Sequence, residues 1–396
     1  MTVTARRTEP AAPGRAGGWL EEPGLGVYVH VPFCLHRCRY CDFNTYEGLG
    51  GLHAPYADAV VRDIERWPGA DGPATSVFFG GGTPTLLEPR LLTRMLGAVR
   101  ARFGLAPGAE VTVEANPETV DEDAFAALLD AGFNRFSLGV QSLCDHVLAG
   151  LGRTHSATRA LDALAAARRA GVEDLNADLI YGSPWETGPD WQTTLLGIVD
   201  AEPDHVSAYA LTVEEGTPLA TLVRTGRAAE PDPDVQADRH GVADEVLDAA
   251  GLRRYEVSNW SRPGRASRHN CLYWSAGDYV GFGAGAHSHL RGRRWWSVRL
   301  PRLYVDAVAQ GRTVVAGDER LGADERAGEA LVLGLRLRTG VDLGGFVRRF
   351  GHGALARREA ALADLEARGL VERRGGFVRV AEAATLVADE VARALL

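Results

Sequence analysis

In the stretch Tyr28-Val29-His30-Val31-Pro32-Phe33-Cys34-Leu35-His36-Arg37-Cys38-Arg39-Tyr40-Cys41, a run of β-branched and aromatic residues breaks at a proline and passes into three cysteines. Residues of this kind fit a pleated strand, and Pro32 cannot donate to a sheet ladder, so a strand over Val27 to Val31 is expected to end there. The same pattern recurs downstream. Strands are expected at Ser76 to Phe79, Val111 to Glu114, Arg135 to Val140, Leu175 to Ile180 and Val206 to Leu211. Between them lie stretches of helical period, such as Leu91, Leu92, Met95, Leu96, Val99 and Phe103, which share one helix face. Strands that alternate with helices build parallel sheets. Six units predict an α/β fold, a partial (β/α)6 TIM-like barrel, and in such folds ligands gather at the carboxyl ends of the strands.

Four regions follow along the 396 residues. Residues 1–22 show no periodicity and predict a disordered tail; Thr8-Glu9-Pro10 after Arg6-Arg7 argues against a twin-arginine export signal. Residues 23–260 would form the barrel, including a seventh strand-like run at Arg254 to Val257. Residues 261–320 are dense in glycine and aromatics and read as a barrel-closing segment. Residues 321–396 read as a small helical, winged-helix-like domain, with helical patterns at 323–337, 342–350 and 354–368 and a hairpin turned by Gly375-Gly376.

Composition narrows the function. With 43 basic and 52 acidic side chains the net charge is −9, which argues against nucleic acid as a partner. The apolar fraction of 45% supports a packed core, and no run approaches the roughly 18 consecutive apolar residues of a membrane span. Five cysteines are too few for a disulfide scaffold of this length, which points to a reducing, cytoplasmic compartment.

Cys34, Cys38 and Cys41 are spaced C-x3-C-x2-C. Buried thiols otherwise scatter, so the cluster points to a metal. A structural zinc would need four ligands and could recruit His30 or His36, but no second C-x2-C pair completes a tetrahedron. Arg37 and Arg39 beside the sulfurs favour thiolates. Three thiolates on a four-iron cluster leave one iron without a protein ligand, as a centre that does chemistry requires.

These residues resemble the radical S-adenosylmethionine (SAM) superfamily, whose signature is this spacing after the first barrel strand. The resemblance implies a [4Fe-4S] cluster on Cys34, Cys38 and Cys41. It also implies SAM chelated at the open iron and an electron from the cluster that cleaves it to a 5′-deoxyadenosyl radical. The other strand ends agree: Gly80-Gly81-Gly82-Thr83-Pro84 after the second, Glu114 at the third, Gln141 at the fourth with Arg153 beyond, and Asp178 in the fifth. Consecutive glycines let a ligand approach the backbone. A carboxylate within Leu175-Asn176-Ala177-Asp178-Leu179-Ile180 is costly unless liganded or paired, for instance with Arg153.

Together these motifs resemble the oxygen-independent coproporphyrinogen III oxidase family from Tyr28 to about residue 300. By that resemblance Tyr28, Tyr40, Gly81, Gly82, Thr83, Glu114, Gln141, Arg153, Asp178 and Ala210 contact SAM. The family has an oxidase branch and a haem-chaperone branch. Oxidases follow the third cluster cysteine with x-Cys, whereas Cys41 is followed here by Asp42-Phe43. The chaperone branch carries H-N-x-x-Y-W, present as His269-Asn270-Cys271-Leu272-Tyr273-Trp274.

That branch implies haem as cargo and respiratory cytochromes at the membrane as acceptors. It further implies a haem donor such as bacterioferritin, an electron donor for the cluster, peripheral membrane association and a homodimer. The alternative is a coproporphyrinogen III dehydrogenase. His269 is a candidate axial ligand for haem, with Cys271, His287 and His289 as rivals, and Tyr273 and Trp274 offer flat faces to a porphyrin. The competing reading is a packed aromatic segment in which His269 is hydrogen-bonded. Cys144 reads as a buried thiol, and His155 as either a pocket or a capping residue.

Overall fold

The structure, a computed structural model, describes residues 18–69 and 72–396. Six parallel strands lie side by side in chain order: β1 (Leu25–Val31), β2 (Ala74–Gly81), β3 (Leu105–Ala115), β4 (Arg135–Gln141), β5 (Leu175–Tyr181) and β6 (His205–Ala210). Each contains most of an expected strand. Val27, Val29 and Val31 of β1 are fully buried, while the alternate residues Tyr28 and His30 meet aromatic neighbours such as Phe78 on the other face. The helix Pro89–Phe103 buries the six residues that the 3.6-residue period selects. Pro89 starts it where an amide would lack a partner anyway, and Gly104, at φ +69°, ends it.

The sheet does not stop at six strands. β7 (Arg253–Glu256) and β8 (Asn259–Ser261) pair antiparallel beyond β6. At the opposite edge β9 (Asp278–Phe282) runs parallel to β1, followed by antiparallel β10 (His287–Leu290), β11 (Arg293–Ser297) and β12 (Val315–Arg320). The result is one twelve-stranded sheet. Residues between 261 and 320 thus prolong the sheet past β1, whose unpaired edge would otherwise stand open. The chain crosses to that edge through a helix, Arg268–Trp274, which carries the whole H-N-x-x-Y-W motif.

The carboxyl-terminal part has its own apolar core, including Leu331, Phe346, Leu362 and Val378. The expected hairpin forms from β14 (Val371–Arg374) and β15 (Phe377–Val380), and β13 (Val341–Asp342) adds a third strand. Gly375 and Gly376 both have positive φ, +61° and +88°, as the tight turn requires.

The expected tail needs one correction. Residues 1–17 lie outside the described residues, but residues 18–22 are packed. Trp19 joins the carboxyl-terminal core, Leu20 N donates to Ser275 Oγ at 2.9 Å, and Glu21 pairs with Arg348 at 2.6 Å. One large aromatic ring is enough to bring this segment into a fold that its composition alone does not suggest.

Candidate cofactor site at the strand ends

The loop after β1 is tied down by backbone bonds. Cys34 N donates to Tyr46 O, Tyr46 N to Pro32 O, and Arg39 N to Leu151 O, at 2.8–3.0 Å. The strand-two loop is stitched to it as well, since Gly82 N donates to Val31 O and Thr83 N to Phe33 O. The glycines there serve a purpose other than ligand approach. A Cβ on Gly82 would lie 2.5 Å from the Phe33 carbonyl oxygen, and one on Gly81 would lie 2.4 Å from the His30 ring. They let β2 press against the cysteine loop.

Cys34, Cys38 and Cys41 line one cavity of about 360 Å³ at the strand ends. Tyr40, Gly81, Gly82, Thr83 and Glu114 line it too, as do Gln141, Arg153, Asp178 and Ala210. Of the residues assigned to SAM by resemblance, Tyr28 lies elsewhere: its hydroxyl bonds His30 Nδ1 at 2.8 Å and it faces a neighbouring cavity of about 690 Å³. Gly81, Glu114 and Phe43 border both cavities.

A single network connects two of the cysteines. Arg153 Nη1 donates to Cys38 Sγ at 3.4 Å, and its Nη2 donates to Asn116 Oδ1 at 2.7 Å and Gly139 O at 2.9 Å. Asn116 Nδ2 donates to Thr83 Oγ1 at 2.9 Å, and that hydroxyl faces Cys34 Sγ at 3.8 Å. The cation bonded to sulfur is therefore Arg153; of the two arginines expected there, Arg37 acts through its charge on Cys41, while Arg39 turns its guanidinium to Gly150 O. Asn116 escaped the sequence reading, although its place just past β3 was the available signal.

Two carboxyl groups face the cavity. Glu114 accepts from Gly81 N at 3.1 Å; burial and the charge of Asp178 push its pKa up to about 8. Asp178 accepts from Ser137 Oγ and Asn176 Nδ2, both at 2.7 Å, and burial raises its pKa as well. No contact links it to Arg153; instead, the hydroxyl and amide neighbours spread its charge. Gln141 adopts φ +66°, a conformation non-glycine residues avoid, where the β4–β5 register shifts.

The donor set fits the implied groups. Burial pushes the Cys34 thiol up to about 11 and raises the Cys41 thiol as well, so these two sulfurs would be held as thiolates by a bound metal more readily than by their protein neighbours alone. Arg153 Nε is buried without a hydrogen-bond partner. Two partly buried carboxyls with raised pKa values, both facing the cavity, suit a ligand that carries positive charge and hydroxyl donors. Among the described residues no three ligating side chains close around a single ion, and a multi-iron cluster spreads its thiolates more widely than one ion does.

The H-N-x-x-Y-W helix packs at the amino-terminal halves of the strands. Its first amides, at Arg268 and His269, donate to buried Glu110. His269 is 1% exposed; its Nδ1 bonds Ser76 Oγ at 2.8 Å, its Nε2 bonds Tyr273 Oη at 2.9 Å, and its ring stacks on Phe78. Both ring nitrogens are spent, so the expectation of a free lone pair on His269 does not match this arrangement. Cys271 is fully buried. His155 Nε2 donates to Val140 O at 3.0 Å inside the fold, and Cys144 Sγ faces Asp190 O.

Known proteins match along this frame. A model described as the radical SAM superfamily matches residues 28–196, and one described as the HemN C-terminal domain matches residues 321–387. A protein named heme chaperone HemW from Mycobacterium tuberculosis (strain ATCC 25618 / H37Rv) is 45% identical over 392 residues, covering 97% of this chain and 98% of that one. One of the same name from Bacillus subtilis (strain 168) is 31% identical over 373 residues, covering 93% and 98%. The solved coproporphyrinogen III oxidase HemN from Escherichia coli shares the fold, with a TM-score of 0.80 and 22% identity over 96% of this chain and 92% of that one. With its cysteine loop, its strand-end cavity and its relatives read together, the chain belongs to the radical SAM superfamily, in the HemW branch of its HemN-like proteins.

Proposed function

We propose that the protein is a haem chaperone. It holds a [4Fe-4S] cluster on Cys34, Cys38 and Cys41, binds SAM in the adjoining cavity and passes haem to respiratory cytochromes at the membrane, working from the cytoplasm. The observation that carries the reading is similarity to proteins named heme chaperone HemW along nearly the whole chain. Asp42-Phe43 after the third cysteine, where oxidases place x-Cys, supports the same branch.

The chain's own residues have clear tasks in this reading. When bound, the cluster supplies an electron and an open coordination site. Arg153 and Asn116 fix the positions of the Cys38 and Cys34 sulfurs. Glu114 and Asp178 accept from ammonium or hydroxyl groups of SAM, and Gln141 offers its amide at the cavity wall. Phe43 stands at the cavity rim, 65% exposed, as an apolar surface beside the site. Among the described residues no helix is long and apolar enough to cross a membrane, so contact with membrane cytochromes would be made from the surface.

The test is a titration of haem into anaerobically reconstituted protein, followed in the Soret region, beside an assay with SAM, reductant and coproporphyrinogen III. Saturable haem binding without vinyl formation is expected. Cluster-dependent vinyl formation would make the protein a dehydrogenase, and absence of saturable binding would remove the chaperone.

A further inference from the structure

A cleft of about 710 Å³ lies between the β9–β12 face and the carboxyl-terminal part, away from the cysteine loop. Ligand pockets of small molecules span roughly 300–1,000 Å³. Its floor is aromatic. Tyr279, His289 and Arg294 form one cross-strand row, and His287 and Trp296 form the next, with their rings stacked at 5.9 Å.

Three polar atoms of this cleft's lining are buried without hydrogen-bond partners: His289 Nε2, Trp274 Nε1 and Arg326 Nε. Buried polar atoms are nearly always satisfied, so three in one cleft call for an explanation. His289 Nδ1 faces Gly277 O at 3.4 Å and can only donate to a carbonyl, which leaves Nε2 as a bare lone pair. An imidazole anchored through one nitrogen with the other open is how proteins present histidine to a metal. Trp274 Nε1 and Arg326 Nε are donors and call for acceptor oxygens. Burial lowers the His289 pKa, which keeps the ring neutral.

We propose that this cleft seats the porphyrin, with His289 Nε2 as the iron's axial ligand and Trp274 and Arg326 as donors to the propionates. A flat apolar frame that carries a Lewis-acidic metal and carboxylates answers all three unsatisfied atoms at once. The inference rests on the chaperone reading and moves the iron ligand away from His269, whose nitrogens are spent. Nε2 lies beneath the surface of the cleft. Arg294 and Arg326 also line the cleft, and their charges act on the ring. Arg294 is otherwise occupied by Glu319 and Glu329, and the third acid of the lining, Asp278, accepts from Arg291 N and faces His289 Nδ1 at 4.0 Å, on the nitrogen opposite Nε2. The carboxyl-terminal part then completes the seat through Arg326, Arg349 and Phe350.

The test titrates ferric haem into the full reconstituted chain and reads the Soret band and the ferric paramagnetic signal. His289→Gly is expected to lose the histidine-ligated signature and to bind about tenfold or more weakly, and added imidazole is expected to restore both. In the parent protein, haem dimethyl ester is expected to bind about tenfold more weakly than haem, a comparison that needs no substitution. A parent-like spectrum in His289→Gly overturns the ligand assignment, as does a signature that is lost in His269→Gln or His287→Ala instead. Equal affinity for haem and its diester overturns the propionate contacts. If the parent itself binds no haem saturably, the chaperone reading fails, a result distinct from all of these.

Discussion

Glu114→Gln isolates the electrostatic cost of the strand-end cavity in which SAM binding is proposed. The glutamine keeps an acceptor for Gly81 N but removes the charge that burial and Asp178 disfavour. A carboxyl whose pKa rises from 4.5 to about 8 on folding holds its proton more tightly in the native state. Stability is therefore lost as pH rises above 4.5, and the loss levels off above 8. Between pH 6 and 8.5 that shift corresponds to about 2.5 kcal/mol, from 1.36 kcal/mol per unit. Because Glu114 borders a cavity that water can enter, about 1–2.5 kcal/mol is the working expectation. The assay is denaturant unfolding of ligand-free protein at both pH values, variant against parent, so that other titrating groups cancel. Glu114→Gln should gain on the parent as pH rises and should bind SAM more weakly. Identical pH dependence in the two proteins would refute the argument that this carboxyl is buried at a cost.

Other substitutions probe the neighbouring contacts. Arg153→Gln removes the donors to Cys38 and Asn116, and iron retained after reconstitution should fall, with SAM affinity down about tenfold or more; unchanged iron content would sink this role. Gly82→Ala drives a Cβ into the Phe33 carbonyl and should destabilise the barrel by roughly 1–3 kcal/mol, as read by the unfolding midpoint. Trp19→Ala should loosen the carboxyl-terminal core by about 2–4 kcal/mol and speed limited proteolysis there. His269→Ala strands Ser76 and Tyr273 hydroxyls and should cost about 1–3 kcal/mol whether or not haem is present.

The six parallel strands, the helix faces between them, the cysteine loop and the Gly375-Gly376 hairpin were legible in the sequence. Each is governed by local rules: a two- or 3.6-residue period, a proline that cannot pair, a turn that needs positive φ. The strand-end rule brought together, from six separate segments, most of the residues expected to hold the cofactors, and they line one cavity. Tertiary structure decided what those rules cannot reach. Trp19 lies within what composition reads as a tail, yet it packs on a core more than 300 positions away. Short runs such as His287 to Leu290 carry too little pattern to announce a strand, and only pairing with β9 and β11 made this one part of the sheet. The same holds for His269 and His289. Chemistry makes both imidazoles candidate ligands, but which nitrogen keeps its lone pair depends on partners that only the folded chain sets: Ser76 from a separate strand and Tyr273 one helical turn on for His269, the Gly277 carbonyl and the nearby Asp278 carboxylate, both on Nδ1, for His289.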